Sequence, residues 1–341
     1  MVSAERRVPW RSSACLALLV LCALPLAAVA QQGGARQGGG PQGPARQGGG
    51  GGLAVTHVQG NVHLISGAGV NVTVQVGRYG VTLVDTPDPA RVPDVLAEVR
   101  RLSPLAVRYI LNTSVSEAYM GGTAALIGAS TRGGRRGGAP FGFVGLNRPS
   151  VIAQENVLNR LSALPDTPVD ALPTTTYYLP TMDFSNSEAI VVYHAPAAHT
   201  DSDSIVLFRG SDVISTGALF TPGRYPEIDI ARGGSVDGLA AALTQVLALA
   251  VPEGFASGGT RIVPGVGRIC EETDVAEYRD MLVIIKERIE DMRRKGMSVE
   301  QVKAERPSRD YDAEYGASQA EADRFVETIY RSLTQQAGGR S

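Results

Sequence analysis

From Val55 onward, apolar and polar positions alternate in short bursts. The segments 61–66 (NVHLIS), 70–76 (VNVTVQV) and 80–85 (GVTLVD) each repeat with a period of two, and glycine-containing turns separate them. Three successive strands are predicted. The period then changes. Val92, Val95, Leu96, Val99 and Leu102 follow Pro89 at the three-and-four spacing of one buried helix face. A looser version of the order follows, with a strand at 107–112, a helix near 120–129, a strand at 150–154 and a helix from Glu155. Strands are predicted again at 189–194, 204–209, 212–217 and 261–265, with helices at 236–249, 274–294 and 320–334. Strands alternating with helices imply an α/β layering around a single core.

Upstream of this pattern the composition shifts twice. Arg6, Arg7 and Arg11 precede an apolar run from Ala14 to Leu24, and Pro25 and the small residues Ala27 to Ala30 follow. This is the form of a signal peptide over 1–30, so an exported protein, periplasmic or secreted, is expected. Residues 31–54 are rich in glycine and glutamine with almost no apolar side chain, and read as a disordered linker, because ordering them would cost backbone entropy without burial in return. The domain is expected over 55–335, with a short disordered tail at 336–341. No segment is apolar for the roughly 20 residues that a membrane span needs. Cys15 and Cys22 fall in the leader, so Cys270 alone remains after cleavage and no internal disulfide can form.

Charge adds little. The 32 basic and 34 acidic residues nearly cancel, which argues against general nucleic-acid binding. The local exception is Arg132, Arg135 and Arg136 in the glycine-rich stretch 131–142, which without aromatic partners reads as a solvated loop.

Chemistry is expected at strand ends, where loops converge. Five places qualify: Asp85-Thr86, the loop Asn112 to Gly122, the turn His199 to Ser204, Thr216-Gly217-Ala218, and Pro264-Gly265-Val266-Gly267. In their order, spacing and flanking residues (GVTLVDT, NT…GG, AHTDSDS, TGALF with GRYP, PGVG), residues 58–335 resemble the metallo-β-lactamase superfamily, above all its exported hydrolase-like branch. The resemblance implies a four-layer αββα sandwich, with two mixed β-sheets and helices outside. It also implies a dinuclear metal centre held by seven side chains. At those places this chain carries Ser114, Ser116, Ala118, Tyr119, His199, Ala218 and Val266, so one histidine of the seven ligands remains. A lone imidazole competes poorly with water for zinc, and neutral hydroxyls are poor ligands. No dinuclear zinc cofactor is therefore expected. The chain has only four histidines, at 57, 63, 194 and 199, and no H-x-H or H-x₃-H pair.

Asp85 resembles the family's bracing aspartate. Asp201 and Asp203 are expected to fix their turn through side-chain to backbone hydrogen bonds, and His199 to be a buried imidazole bonded to a neighbour such as Asp201. Tyr177, Tyr178, Arg224 and Tyr225 are candidates for the mouth of the cleft, Tyr225 equally for packing. The reading that follows is a pseudoenzyme that binds a small molecule or protein partner without metal chemistry. Two rivals stand beside it. One is a metal-independent hydrolase using Ser114 or Ser116 with His199, with Tyr119 and Glu117 nearby. The other is a structural subunit paired with an active homologue.

Overall fold

A computed structural model describes residues 52–133, 148–254, 258–316 and 318–338. The expected signal peptide, most of the linker and most of the arginine-glycine stretch lie outside the described residues. The first strand begins at Ala54 and the last helix runs to Gly338, so regular structure starts one residue before the predicted domain and ends three after it.

Two sheets carry the fold. The larger has seven strands in sequence order: β1 (Ala54–Gln59), β2 (Val62–Ala68), β3 (Val70–Gly77), β4 (Gly80–Val84), β5 (Val107–Asn112), β6 (Ser150–Gln154) and β7 (Thr175–Tyr177). Its first four strands pair antiparallel and its last three are added in parallel. The smaller sheet has the order β12-β11-β10-β9-β8, built from β8 (Thr181–Ser185), β9 (Glu188–Ala195), β10 (Asp203–Phe208), β11 (Val213–Ser215) and β12 (Arg261–Val263). β12 lies parallel to β11 and the other pairs are antiparallel. Both sheets are therefore mixed.

The period-two pattern sorts side chains into layers. Val62 and Leu64 of β2, Val84 and Leu111 pack against Val192, Val206, Phe208 and Val263 between the sheets. On the outer face of the larger sheet, Ile65, Val72, Val74, Leu83 and Ile110 meet two helices. These are α1 (Val92–Leu102), through Val92, Val95, Leu96 and Val99, and α3 (Thr123–Gly133), through Leu126 and Ile127. The short α2 (Glu117–Met120) precedes α3, and α4 (Glu155–Ser162) follows β6. On the outer face of the smaller sheet lie α5 (Val236–Leu249), α6 (Glu272–Arg294) and α9 (Gln319–Gly338), with α7 (Val299–Glu305) and α8 (Asp312–Tyr315) between the last two. The layers run helix, sheet, sheet, helix, the αββα sandwich.

One strand departs from simple alternation in an instructive way. β3 sends Val72 and Val74 outward to the helices, while Asn71, Thr73 and Gln75 are buried and face the opposing sheet. Each makes a tie across: Asn71 Nδ2 to the carbonyls of Pro264 (2.9 Å) and Gly267 (3.0 Å), Thr73 Oγ1 to Ser215 Oγ (3.2 Å), and Gln75 Nε2 to Glu188 Oε1 (2.8 Å). Pairing of this kind is what permits polar groups in the sheet interface.

Candidate functional site

The strand ends that carry the five motifs meet at one end of the sandwich. Asp85 leaves β4 with a left-handed φ of 63°, a conformation that aspartate tolerates better than most residues. Its carboxylate is buried and receives the backbone N–H and the hydroxyl of Thr113, both at 2.8 Å. Burial pushes its pKa up to about 7, against those hydrogen bonds, and the nearby Asp203 carboxylate adds to the rise.

Gly217 lies directly over this pair. Its φ is +50°, and a Cβ there would collide with Thr113 Oγ1, so only glycine lets the turn after β11 close on the Asp85-Thr113 brace. Gly265 is held as tightly. A Cβ on it would collide with the Gly217 carbonyl and fall 2.5 Å from the Tyr119 hydroxyl. The phenol of Tyr119 thus reaches across from α2 to the Gly265 turn, where it also bonds with Thr221. Burial, followed by the fields of Asp85, Glu227 and Asp203, raises its pKa well above the usual phenol range.

The third motif is a second buried carboxylate. Asp203 accepts the backbone N–H of Thr200 (2.5 Å) and the Thr200 hydroxyl (3.0 Å). The Ser114 hydroxyl bonds to it as well. Desolvation raises its pKa, with the nearby His199 and these bonds pulling the other way. Asp203 therefore does fix the 199–204 turn. Asp201 does something else: Arg160 of α4 grips it in a two-pronged pair, Nε to Oδ1 at 2.8 Å and the second nitrogen to Oδ2 at 2.6 Å. Its carbonyl takes Asn156 Nδ2 and His194 Nε2, both at 2.9 Å. The carboxylate ties the turn to the outer helix.

His199 is buried, and its partner is not Asp201 but the Glu227 carbonyl, 3.0 Å from Nδ1. A carbonyl can only accept, so Nδ1 carries a proton, and Nε2 is the nitrogen left without a partner. His199 lines an open cleft of about 450 Å³ whose walls also include Ser116, Glu227, Asp229, Arg232 and, from α9, Thr328 and Arg331. Of the two candidate serines, Ser114 is fully buried and committed to Asp203, whereas Ser116 is half-buried and faces the cleft.

The other candidates disperse. Ala118 and Glu117 are exposed, and Ala218 and Val266 are half-buried. Tyr177 is buried and donates to Ser204 Oγ, Tyr178 is exposed on the loop between the two sheets, and Arg224 is exposed. Tyr225 belongs to packing: its ring stacks on Phe325 at 4.3 Å, and its hydroxyl donates to Asp312 Oδ1. None of these four lines the cleft. Four residues that do line it, Glu227, Asp229, Arg232 and Arg331, stand in no motif. They come from a loop and a terminal helix that only tertiary packing brings to His199.

Neither a family model nor a curated protein matches this sequence. Solved structures do. A metallo-β-lactamase from Pontibacter korlensis is 14% identical with a TM-score of 0.52, matched over 68% of this chain and 99% of its own. This chain has the metallo-β-lactamase fold. The DIM-1 metallo-β-lactamase gives the same TM-score of 0.52 at 15% identity, over 68% of this chain and 98% of its own. A stereoselective inverting sec-alkylsulfatase, Pisa1 from Pseudomonas sp., matches over 82% of this chain at 13% identity with a TM-score of 0.60, and this chain spans half of its length.

The fold's metal centre does not suit the side chains found here. Ser114 is bonded to a carboxylate, the Tyr119 phenol holds its proton firmly, and Ala118, Ala218 and Val266 offer no donor atom. Asp85 is engaged by Thr113. Among the described residues, no group of three or more histidine, cysteine, aspartate or glutamate side chains is arranged to hold a metal ion. No described helix is long and apolar enough to cross a membrane.

Proposed function

We propose that this protein is an exported, non-catalytic member of its fold that binds a small molecule or a partner in the His199 cleft without a dinuclear zinc centre. The observation that carries this reading is the engagement of the ligand positions with their own surroundings. Ser114 is spent on Asp203 and Tyr119 spans to Thr221 and Gly265. Bringing in a metal would break those bonds without supplying the imidazoles that a zinc ion needs. Metal analysis of the purified protein, after incubation with excess zinc and desalting, is expected to find far less than one zinc per chain. A stoichiometric pair of retained ions would overturn the reading.

A second reading draws on one specific observation: Ser116 and His199 line the same cleft. An imidazole and a hydroxyl that share one cleft supply the two side-chain types of the minimal pair for acyl transfer. Turnover of ester and lactam probes that disappears in Ser116→Ala and in His199→Ala would establish that reading. Equal background rates in all three proteins would eliminate it.

A further inference from the structure

The chemistry of the cleft narrows its ligand, on the reading that the site binds without zinc. Both cations on the walls already have an ion-pair partner: Arg232 pairs with Asp229 at 3.2 Å, and Arg331 with Glu327 at 2.5 Å, a carboxylate that Lys303 shares at 3.2 Å. The Thr328 hydroxyl donates to the Arg324 carbonyl at 2.8 Å. What remains unengaged among the described residues is a set of acceptors. Glu227 uses its backbone carbonyl on His199, but its exposed carboxylate has no ion pair or hydrogen bond. The same holds for His199 Nε2, and the Ser116 hydroxyl can accept or donate. Among the described residues, Glu227 is the one charged side chain on the walls without an ion-pair partner.

A free carboxylate beside a lone pair and a hydroxyl is a complement for a hydrogen-bond donor carrying positive charge. A carboxylate or sulfate ligand would find no unpaired cation and would face Glu227. We propose that the cleft receives a small molecule bearing a protonated primary amine. Its ammonium donates to the Glu227 carboxylate and to His199 Nε2 or Ser116 Oγ, and its apolar body lies along Ile228 and Ile230, which also line the cleft. The volume of about 450 Å³ is within the range of small-ligand sites, roughly 300 to 1,000 Å³.

The test uses three probes of matched body and different charge: benzylamine, benzyl alcohol and benzoate, titrated into the full-length mature protein and followed by calorimetry or protein NMR. Zinc content is measured on the same sample. Benzylamine is expected to bind about tenfold more tightly than the alcohol, the scale of one charge-assisted hydrogen bond, and benzoate more weakly than either. Glu227→Gln, a conservative change on an exposed side chain, should abolish the amine's advantage and leave the alcohol unchanged. Benzoate binding as well as the amine would overturn the proposal. So would an amine preference that survives Glu227→Gln, or no saturable binding by any probe. Stoichiometric zinc in the sample would instead sink the zinc-free reading beneath it, so the two failures are distinguishable.

Discussion

The sandwich buries a polar cluster at each end, and the two are built differently. At the end away from the cleft, Glu188 accepts from Gln75 Nε2 (2.8 Å), the backbone N–H groups of Gly210 (2.9 Å) and Ser211 (2.7 Å), and Ser211 Oγ (2.9 Å). Asn186 donates to Gln75 Oε1 and to the Gly80 carbonyl and accepts from the Tyr79 N–H. This is a closed network that clamps β3, β9 and the turn after β10. At the cleft end, every hydrogen bond that the Asp85 carboxylate accepts among the described residues comes from one residue, Thr113, and Glu227, His199 and Ser116 border open space. Buried polarity is common to both ends. The far network leaves only the neighbouring Thr82 hydroxyl buried without a partner, whereas at the cleft the unengaged groups border open space, and that is the better sign of where a ligand goes.

The comparison can be broken most forcefully at the clamp. Glu188→Ala would leave three donors without an acceptor, the Ser211 hydroxyl keeping Asn61 Oδ1, and should cost about 4 kcal/mol of stability in urea unfolding. A loss below about 1 kcal/mol would mean that the far cluster is not a clamp at all.

The next effect distinguishes the two ends by pH. Asp85 has its folded pKa raised to about 7 from the ordinary aspartate value of 3.8, so the folded state keeps a proton that the unfolded chain has lost. The folded form then binds more protons between about pH 4 and 7, and this contribution to stability falls as pH rises through that window and levels off above it. The shift is of order 4 kcal/mol. Asp85→Asn, which tolerates the same left-handed backbone, should flatten that part of the profile relative to the parent when both are unfolded in urea from pH 4 to pH 8. Parallel profiles would show that Asp85 is as well served as Glu188.

Smaller changes sharpen the cleft end. Gly265→Ala should cost about 2 kcal/mol through overpacking, and Tyr119→Phe in the same chain should not restore it, because the collision with the Gly217 carbonyl remains. Full rescue would show that the phenol alone sets the closeness of the two turns. Arg160→Ala should matter least, about 1 kcal/mol or less by thermal unfolding, since both partners of the Arg160-Asp201 pair are about a third exposed.

How much of this was legible in the chain follows from which forces are local. β2 to β6, β9 to β12 and the larger helices were readable because a buried face imposes its period on the sequence. β1 is exposed along most of its length, and β7 spans only Thr175–Tyr177. Neither carries a strong pattern. β8 was missed together with its turn to β9, where Asn186 and Ser187 both take positive φ, at 51° and 74°. Asn-Ser announces such a two-residue hairpin more weakly than Asn-Gly. α7 and α8 are too short for periodicity to show. At the cleft, the resemblance brought together Asp85, Thr113, His199, Asp203, Gly217 and Gly265. It could not tell which hydroxyls were spent: Ser114 and Ser116 are alike on paper, and only the position of Asp203 separates them. Arg331 lies more than a hundred residues from His199 in the chain, and no local signal joins them.

The Tyr119 phenol also has an evolutionary meaning. On the zinc-free reading proposed above, a side chain that occupies the place of a ligand, with a glycine on one side and Thr221 on the other, would make a return to metal binding difficult. Six positions, Ser114, Ser116, Ala118, Tyr119, Ala218 and Val266, would have to acquire metal-binding side chains. The first single step at Ser114 or Tyr119 would forfeit a present bond before any ion could repay it. On that reading, selection acting one substitution at a time would meet a ratchet here: the chain could go on adapting its cleft to new ligands far more readily than it could take up metal chemistry.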